Sequence, residues 1–198
     1  MKQFKLLSAD IFVNKAGTTE QIQQLKEEAL ARKASDPTGM FFTNENCWRS
    51  RFEYTNIDWL LKELAQLLYK AVDYYSQTDP LFPQKSKSYG KPEIDYWTNI
   101  NEPHSKNSLH SHNSYHFVGC YYIQGEGTGD LVFHNSANLL QDCDPNSPFV
   151  SHIAFTPKDG DLLVWPAWVA HEVETNFSNQ QRINIAFNIK FTPIGNIK

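Results

Sequence analysis

The chain is short of cysteine, has no block of like charge and has no long apolar run, and each shortage closes off a class of protein. Its three cysteines, Cys47, Cys120 and Cys143, are odd in number and irregularly spaced. That suits neither a disulfide framework nor a zinc finger, and it points to a reducing, cytoplasmic setting. Eighteen Lys and Arg stand against 22 Asp and Glu without forming a basic block, so no nucleic-acid or anionic-membrane partner is expected. No stretch approaches the roughly 20 apolar residues that span a bilayer, and residues 1–16 lack the apolar core of a secretory leader. Neither an internal repeat nor a low-complexity segment occurs. At 198 residues a single domain, 1–198, is expected, large enough to bury a real core. Aromatic residues, by contrast, make up 14% of the chain and include five tryptophans, enough to line a cavity as well as fill a core.

Residues 6–13 mix β-branched and aromatic side chains and predict an opening strand, ended by Asn14 and Gly17. A first helix follows, capped by Thr18 or Thr19, with Ile22, Leu25, Ala29 and Leu30 as its apolar stripe. A second helix opens at Asn56 or Asp58 and runs to about Tyr75. Its apolar residues Trp59, Leu60, Leu64, Leu67, Leu68, Ala71 and Tyr75 recur at helical spacing. From Ile94 onward the pattern becomes that of short strands: 93–101, 117–124, 130–134, 150–156, 161–165, 170–175 and 182–191. The expected architecture is a mostly β (α+β) barrel or sandwich, with helical support over 18–76 packed on one outer face and the strand core over 94–191. Residues 36–55, 79–92 and 135–149 are read as loops at the pocket edge.

Within that core, His110 and His112 are two apart on what reads as strand, so both project to one face. His171, after the turn that begins at Pro166, is brought across from a later strand. Neutral imidazoles suit iron, zinc, copper, nickel or manganese, and three of them on one side of an ion leave the other positions open. His116 is the reserve ligand; His104, His134 and His152 are read as structural or exposed. Asp130 is a remote carboxylate candidate, whereas Glu172, next to His171 on a strand, should point the other way. Arg182 starts a strand in which Ile183, Ile185 and Phe187 alternate, which puts Arg182 on the face opposite them. There it can anchor an acidic co-substrate. Trp97, Trp165, Trp168, Tyr115 and Tyr121 are candidate walls of a substrate cleft, with Trp168 near its mouth. Arg49 and Arg51, in the 36–55 stretch, either recognise an acidic group or are solvated, and the solvated reading is preferred.

These segments together, His110 to Ile123, Gly127 to Phe133, Pro157 to Pro166, His171 to Val173 and Arg182 to Asn188, resemble the Fe(II)/2-oxoglutarate-dependent dioxygenases. The likeness is to their small prolyl 4-hydroxylase-like members of bacteria and phages. The resemblance implies a double-stranded β-helix, a jelly roll. His110 and His171 would be iron ligands, and His112 would stand where most of the family carries a carboxylate. It further implies that Arg182 takes the distal carboxylate of 2-oxoglutarate, that Tyr122 hydrogen-bonds the same carboxylate, and that Asn99 faces the pocket. The activity implied is hydroxylation of a peptide, amino acid or small metabolite by molecular oxygen, with 2-oxoglutarate decarboxylated to succinate. Two other classes fit part of the pattern. One is a cupin-type three-histidine metalloenzyme that does not use 2-oxoglutarate and has no use for Arg182; the other is a non-catalytic β-barrel binding module.

Overall fold

The computed structural model describes residues 9–42, 44–51, 57–79, 82, 89–135 and 152–193. In chain order the elements are β1 (Phe12–Lys15), α1 (Thr19–Ser35), β2 (Asn44–Arg49), α2 (Asp58–Thr78), β3 (Tyr89–His110), β4 (Phe117–Gln124) and β5 (Leu131–His134). There follow β6 (His152–Phe155), β7 (Asp161–Pro166), β8 (His171–Val173) and β9 (Arg182–Pro193). The strands form one curled nine-stranded antiparallel sheet in the order β1-β7-β4-β9-β3-β8-β5-β6, with β2 added against β3. This is the expected mostly β jelly roll with N-terminal helices on one face.

Alternation along the strands divides the molecule into two faces. Tyr96 and Ile100 of β3, Phe117, Tyr121 and Ile123 of β4, Leu162 and Val164 of β7, and Ile183, Ile185, Phe187 and Ile189 of β9 all join one buried cluster. That cluster also contains Leu60, Leu64, Leu67, Leu68, Ala71 and Tyr75 of α2 and Leu25 and Ala29 of α1. The intervening residues Val118, Cys120, Tyr122, Leu163 and Trp165 face the inside of the curl. Helix α1 is held at its start by a capping box, in which Thr18 accepts from the Gln21 N–H and Gln21 from the Thr18 N–H.

Several expectations need correcting. The opening strand is shifted to Phe12–Lys15, where it pairs with Asp161 to Val164 across Asn14; residues 6–8 of the expected strand lie outside the described residues. Leu30 is exposed and off the α1 stripe. Helix α2 opens at Asp58, one of the two expected starts, and runs past Tyr75 to Thr78. Strand β2 falls in a stretch read as loop, because Asn44-Glu-Asn46 shows no apolar alternation. Its irregularity is real: Asn46 has φ +51, and the register with β3 shifts between Glu45 and Cys47. Strand β3 is longer than expected and continues to His110. It bends at His104, φ +66, where the His104 N–H donates to Asn176 O and the Asn176 N–H to Ser105 O. Tyr121 belongs to the helix-side core, its hydroxyl donating to Ala16 O. The expected mouth loop 135–149 lies, after Asn135, outside the described residues. No helix among the described residues is long and apolar enough to cross a membrane.

Leu64 is fully buried between α2 and the sheet. Leu64→Ala should cost about 3 kcal/mol through lost burial and a residual cavity, and Thr18→Ala about 1 kcal/mol through the lost cap. Urea denaturation followed by circular dichroism measures both; equal costs would contradict the placement of α2 in the core.

Candidate metal centre

His110 and His171 are register partners where the end of β3 meets β8. His112 lies just beyond β3 rather than on it, its N–H donating to Ala167 O. The return of the chain over the 166–170 turn brings its ring back beside the other two. Ring centroids stand 4.4 Å apart for His110 and His171, 5.1 Å for His110 and His112, and 5.3 Å for His112 and His171, the last pair stacked. One ligating nitrogen from each lies within 4.8 Å of the others.

Each imidazole is oriented from behind. Nδ1 of His110 is 2.7 Å from Ser108 O, Nδ1 of His171 is 2.9 Å from Val169 O, and Nδ1 of His112 is 2.7 Å from Asn188 Oδ1. These oxygens only accept, so each Nδ1 holds the proton and each Nε2 keeps its lone pair free for a metal. Burial lowers the proton affinity of all three, aided in His112 and His171 by repulsion from His110. His112 falls to a pKa of about 4 and His171 to about 3. The set is therefore neutral, the form that binds metal.

The three histidines open into a cavity of about 360 Å³ whose described lining includes Trp97, Asn99, Tyr115, Tyr122, Trp165, Asn184 and Asn188, and no Asp or Glu. Asn99 Nδ2 donates to Asn184 Oδ1 at 2.9 Å. Tyr122 is fully buried, and burial raises its pKa well above the ordinary tyrosine value. His116 is turned away, its Nδ1 accepting from the Phe191 N–H. Glu172 bonds His134 Nε2 at 2.9 Å, and Asp130 is not part of the cluster. Trp168 is 44% exposed and does not line the cavity.

Arg182 is fully buried, opposite Ile183 and Ile185 as the alternation predicts. It does not itself line the cavity; Cys120 and Tyr122, its neighbours in charge, do. Its Nε donates to Thr128 Oγ1 at 3.1 Å, and Nη2 donates to Thr128 O and, at 2.6 Å, to Gly129 O. Gly129 has φ +92, and a Cβ there would come within 2.9 Å of Nη2, so glycine is what lets the turn close on the guanidinium. Nη1 is buried with no hydrogen-bond partner among the described residues, as is Trp165 Nε1, whose ring packs against His171. Among those residues Arg182 makes no ion pair. An unpaired buried cation is costly to keep.

Two features escaped the sequence. Arg49, expected to be solvated, is only 9% exposed and lies in the cavity wall; Arg51 is the solvated one, loosely paired with Asp36. Asn184 and Asn188 have inward places that the alternation Arg182-Ile-Asn184-Ile-Ala186-Phe-Asn188 already displays.

The three imidazoles give a pH prediction for the metal-free protein. Their folded pKa values lie below the unfolded value near 6.5, so across the window below 6.5 the unfolded chain binds more protons. Stability is then present above that value and lost as pH falls toward 4 and 3. Tm should drop between pH 7 and 4, and less steeply in His171→Asn; an unchanged slope in that variant would contradict the neutral buried set.

Residues 95–188 match the family described as "Putative 2OG-Fe(II) oxygenase", a span that contains all three histidines, Asn99, Tyr122 and Arg182. No functionally curated protein matches the chain in sequence. Among solved structures, a prolyl-4-hydroxylase of Pseudomonas putida is similar at TM-score 0.64 and 13% identity, covering 91% of each chain. A prolyl hydroxylase of Trichoplax adhaerens, solved with a hypoxia inducible factor peptide, reaches 0.58 at 12% identity over 93% of this chain and 84% of that one. HygX of Streptomyces hygroscopicus, solved with nickel, 2-oxoglutarate and hygromycin B, reaches 0.55 at 11% identity over 91% and 82%. The stretch that carries the histidines is thus similar to the 2OG-Fe(II) oxygenase family, and the chain shares its fold with these neighbours over most of each.

Proposed function

We propose that the chain is a hydroxylase in which His110, His112 and His171 hold Fe(II), and Arg182, with Tyr122 and Asn99 nearby, holds 2-oxoglutarate. The observation that carries this is the pairing of three neutral imidazoles, free Nε2 atoms converging, with a buried guanidinium whose Nη1 has no partner. The first fits a divalent ion and the second a carboxylate. A cupin-type centre would leave that buried cation without purpose.

Iron with 2-oxoglutarate supplies the oxidising chemistry: a substrate C–H, O2 and 2-oxoglutarate become the alcohol, succinate and carbon dioxide. The chain's own residues do the positioning. Ser108 O, Val169 O and Asn188 Oδ1 fix the three ligand rings. Thr128 and Gly129 hold Nε and Nη2 of Arg182, and Nη1 is the group that would meet the distal carboxylate of a bound co-substrate. Cys120, Tyr122, Leu131 and Trp165 exclude water around the co-substrate. His112 in place of a carboxylate leaves the centre more positive, which favours a dianionic co-substrate. The likeness to prolyl hydroxylases supports hydroxylation as the reaction, on a peptide, amino acid or small metabolite. The buried free thiols Cys47 and Cys120 support a reducing, cytoplasmic setting.

Anaerobic titration of the Fe(II)-loaded protein with 2-oxoglutarate should produce the visible metal-to-ligand charge-transfer band of a chelated keto acid. Arg182→Ala should keep the metal but weaken 2-oxoglutarate about 10- to 100-fold, the worth of a charge-assisted bond. Removing His171 as His171→Ala should abolish metal binding, read by equilibrium dialysis. Iron binding without the band would sink the 2-oxoglutarate assignment and favour the cupin-type centre.

A further inference from the structure

Of the three converging rings, only His112 takes its support from a group that can turn round. Nδ1 of His110 and Nδ1 of His171 face main-chain carbonyls, which accept and cannot donate. Nδ1 of His112 is 2.7 Å from Asn188 Oδ1. An asparagine amide rotated by half a turn about its last bond presents N–H groups where its oxygen stood. His112 would then have to accept at Nδ1 and carry its proton on Nε2, the nitrogen that a metal needs free. Whatever holds the amide in its present sense therefore decides whether the third ring can be a ligand.

That hold lies on the far side of the amide. With Oδ1 taken by His112, Nδ2 is what Asn188 offers in its hydrogen bond with the Tyr115 side chain. The Tyr115 O–H donates in turn to Asp95 Oδ2 at 3.2 Å. Asp95 and Asn188 are register partners across β3 and β9, and the Tyr115 N–H donates to His112 O at 3.2 Å. The turn that leaves His112 thus lays Tyr115 against this strand pair, where its hydroxyl links the amide to the carboxylate. Tyr115 and Asn188 line the cavity, and Asp95 is exposed beside them.

Only the carboxylate end of this chain of bonds has a fixed sense. A carboxylate accepts and does not donate, so the phenol, which can do either, points its proton at Asp95 and turns a lone pair to Asn188. Burial and the charge of Asp95 raise the Tyr115 pKa, so the phenol keeps the proton that this bond requires. Asn188 then donates to Tyr115 and accepts from His112, and Nε2 of His112 is left bare. Reversing the amide would either lose the Tyr115–Asn188 bond or take the phenol's proton away from the carboxylate.

We propose that Tyr115 and Asp95 are positioning residues that act through Asn188 to hold His112 in its Nδ1–H tautomer, and so keep its Nε2 available to the metal. The proposal rests on the metal-centre reading for its purpose, while the tautomer it names is a property of the metal-free protein.

The test is long-range proton–nitrogen NMR correlation of the imidazole rings in the full-length, metal-free protein at pH 7, with His112 assigned through His112→Asn. All three rings should carry their proton on Nδ1. In Tyr115→Phe both orientations of the amide offer His112 one bond, so its Nε2–H form should become at least equally populated, while His110 and His171 stay as they are. Asp95→Asn should move His112 the same way. In Asn188→Asp, where a carboxylate replaces the amide and cannot turn into a donor, His112 should keep its Nδ1 proton with or without Tyr115→Phe. Zinc affinity, read by competition with a chromophoric chelator, should fall about tenfold in Tyr115→Phe, with circular dichroism establishing that the variants fold. An Nε2–H His112 in the wild type, an unmoved His112 in either single variant, equal changes in all three rings, loss of the Nδ1 proton in Asn188→Asp, or a shifted tautomer with undiminished zinc affinity would overturn the proposal. A wild type with all three protons on Nδ1 that binds no zinc would count against the metal-centre reading alone.

Discussion

Everything in this molecule depends on the two-residue alternation of its strands. Along β4, β7 and β9 the large apolar side chains of one parity lie under α1 and α2, and the intervening residues face the inside of the curl. The hydrophobic effect drives the first set, and the second is carried along by geometry. Polar groups such as Asn184, Asn188 and Arg182 are held inside because the strand that bears them is anchored by Ile183, Ile185, Phe187 and Ile189 on its other side. A slip of one residue in β9 would send the isoleucines inward and the asparagines against the helices.

The parts of the fold that follow from this alternation, or from the 3.6-residue period of α2, were legible in the sequence. Strand β4 begins and ends where the pattern places it, and the stripe from Leu60 to Tyr75 is the buried face of α2. The parts that escaped are governed by long-range pairing. Strand β2 carries Asn44-Glu-Asn46 and has no reason to be extended until β3 offers it a free edge. The extension of β3 through Pro103 and His104 is held by Asn176, more than 70 positions away. Tyr121 and Tyr122 read alike by composition, and only parity within β4 sends one to the helices and the other to the cavity.

At the centre itself the histidines were legible as a set, but not the way they meet. His112 reaches the cluster from beyond the strand end, so same-face strand geometry is not what brings it there. Arg49 was noticed but its burial was not legible, for the reason β2 was not: an arginine between Trp48 and Ser50 looks solvated, and the rings of Phe42 and Trp97 that lie against it come from elsewhere in the chain. Charge at the cavity thus comes from two arginines of opposite character, one clasped by main-chain carbonyls and one stacked on rings.

The three clustered imidazole rings differ in how they are held. His110 and His171 lean on carbonyls of the main chain, which no amino-acid replacement at Ser108 or Val169 deletes. His112 leans on a side chain, Asn188. The cluster therefore has two rings whose support is robust to mutation and one whose support rests on a replaceable side chain. The orientation and basicity of that third ring therefore have a single-residue handle at position 188.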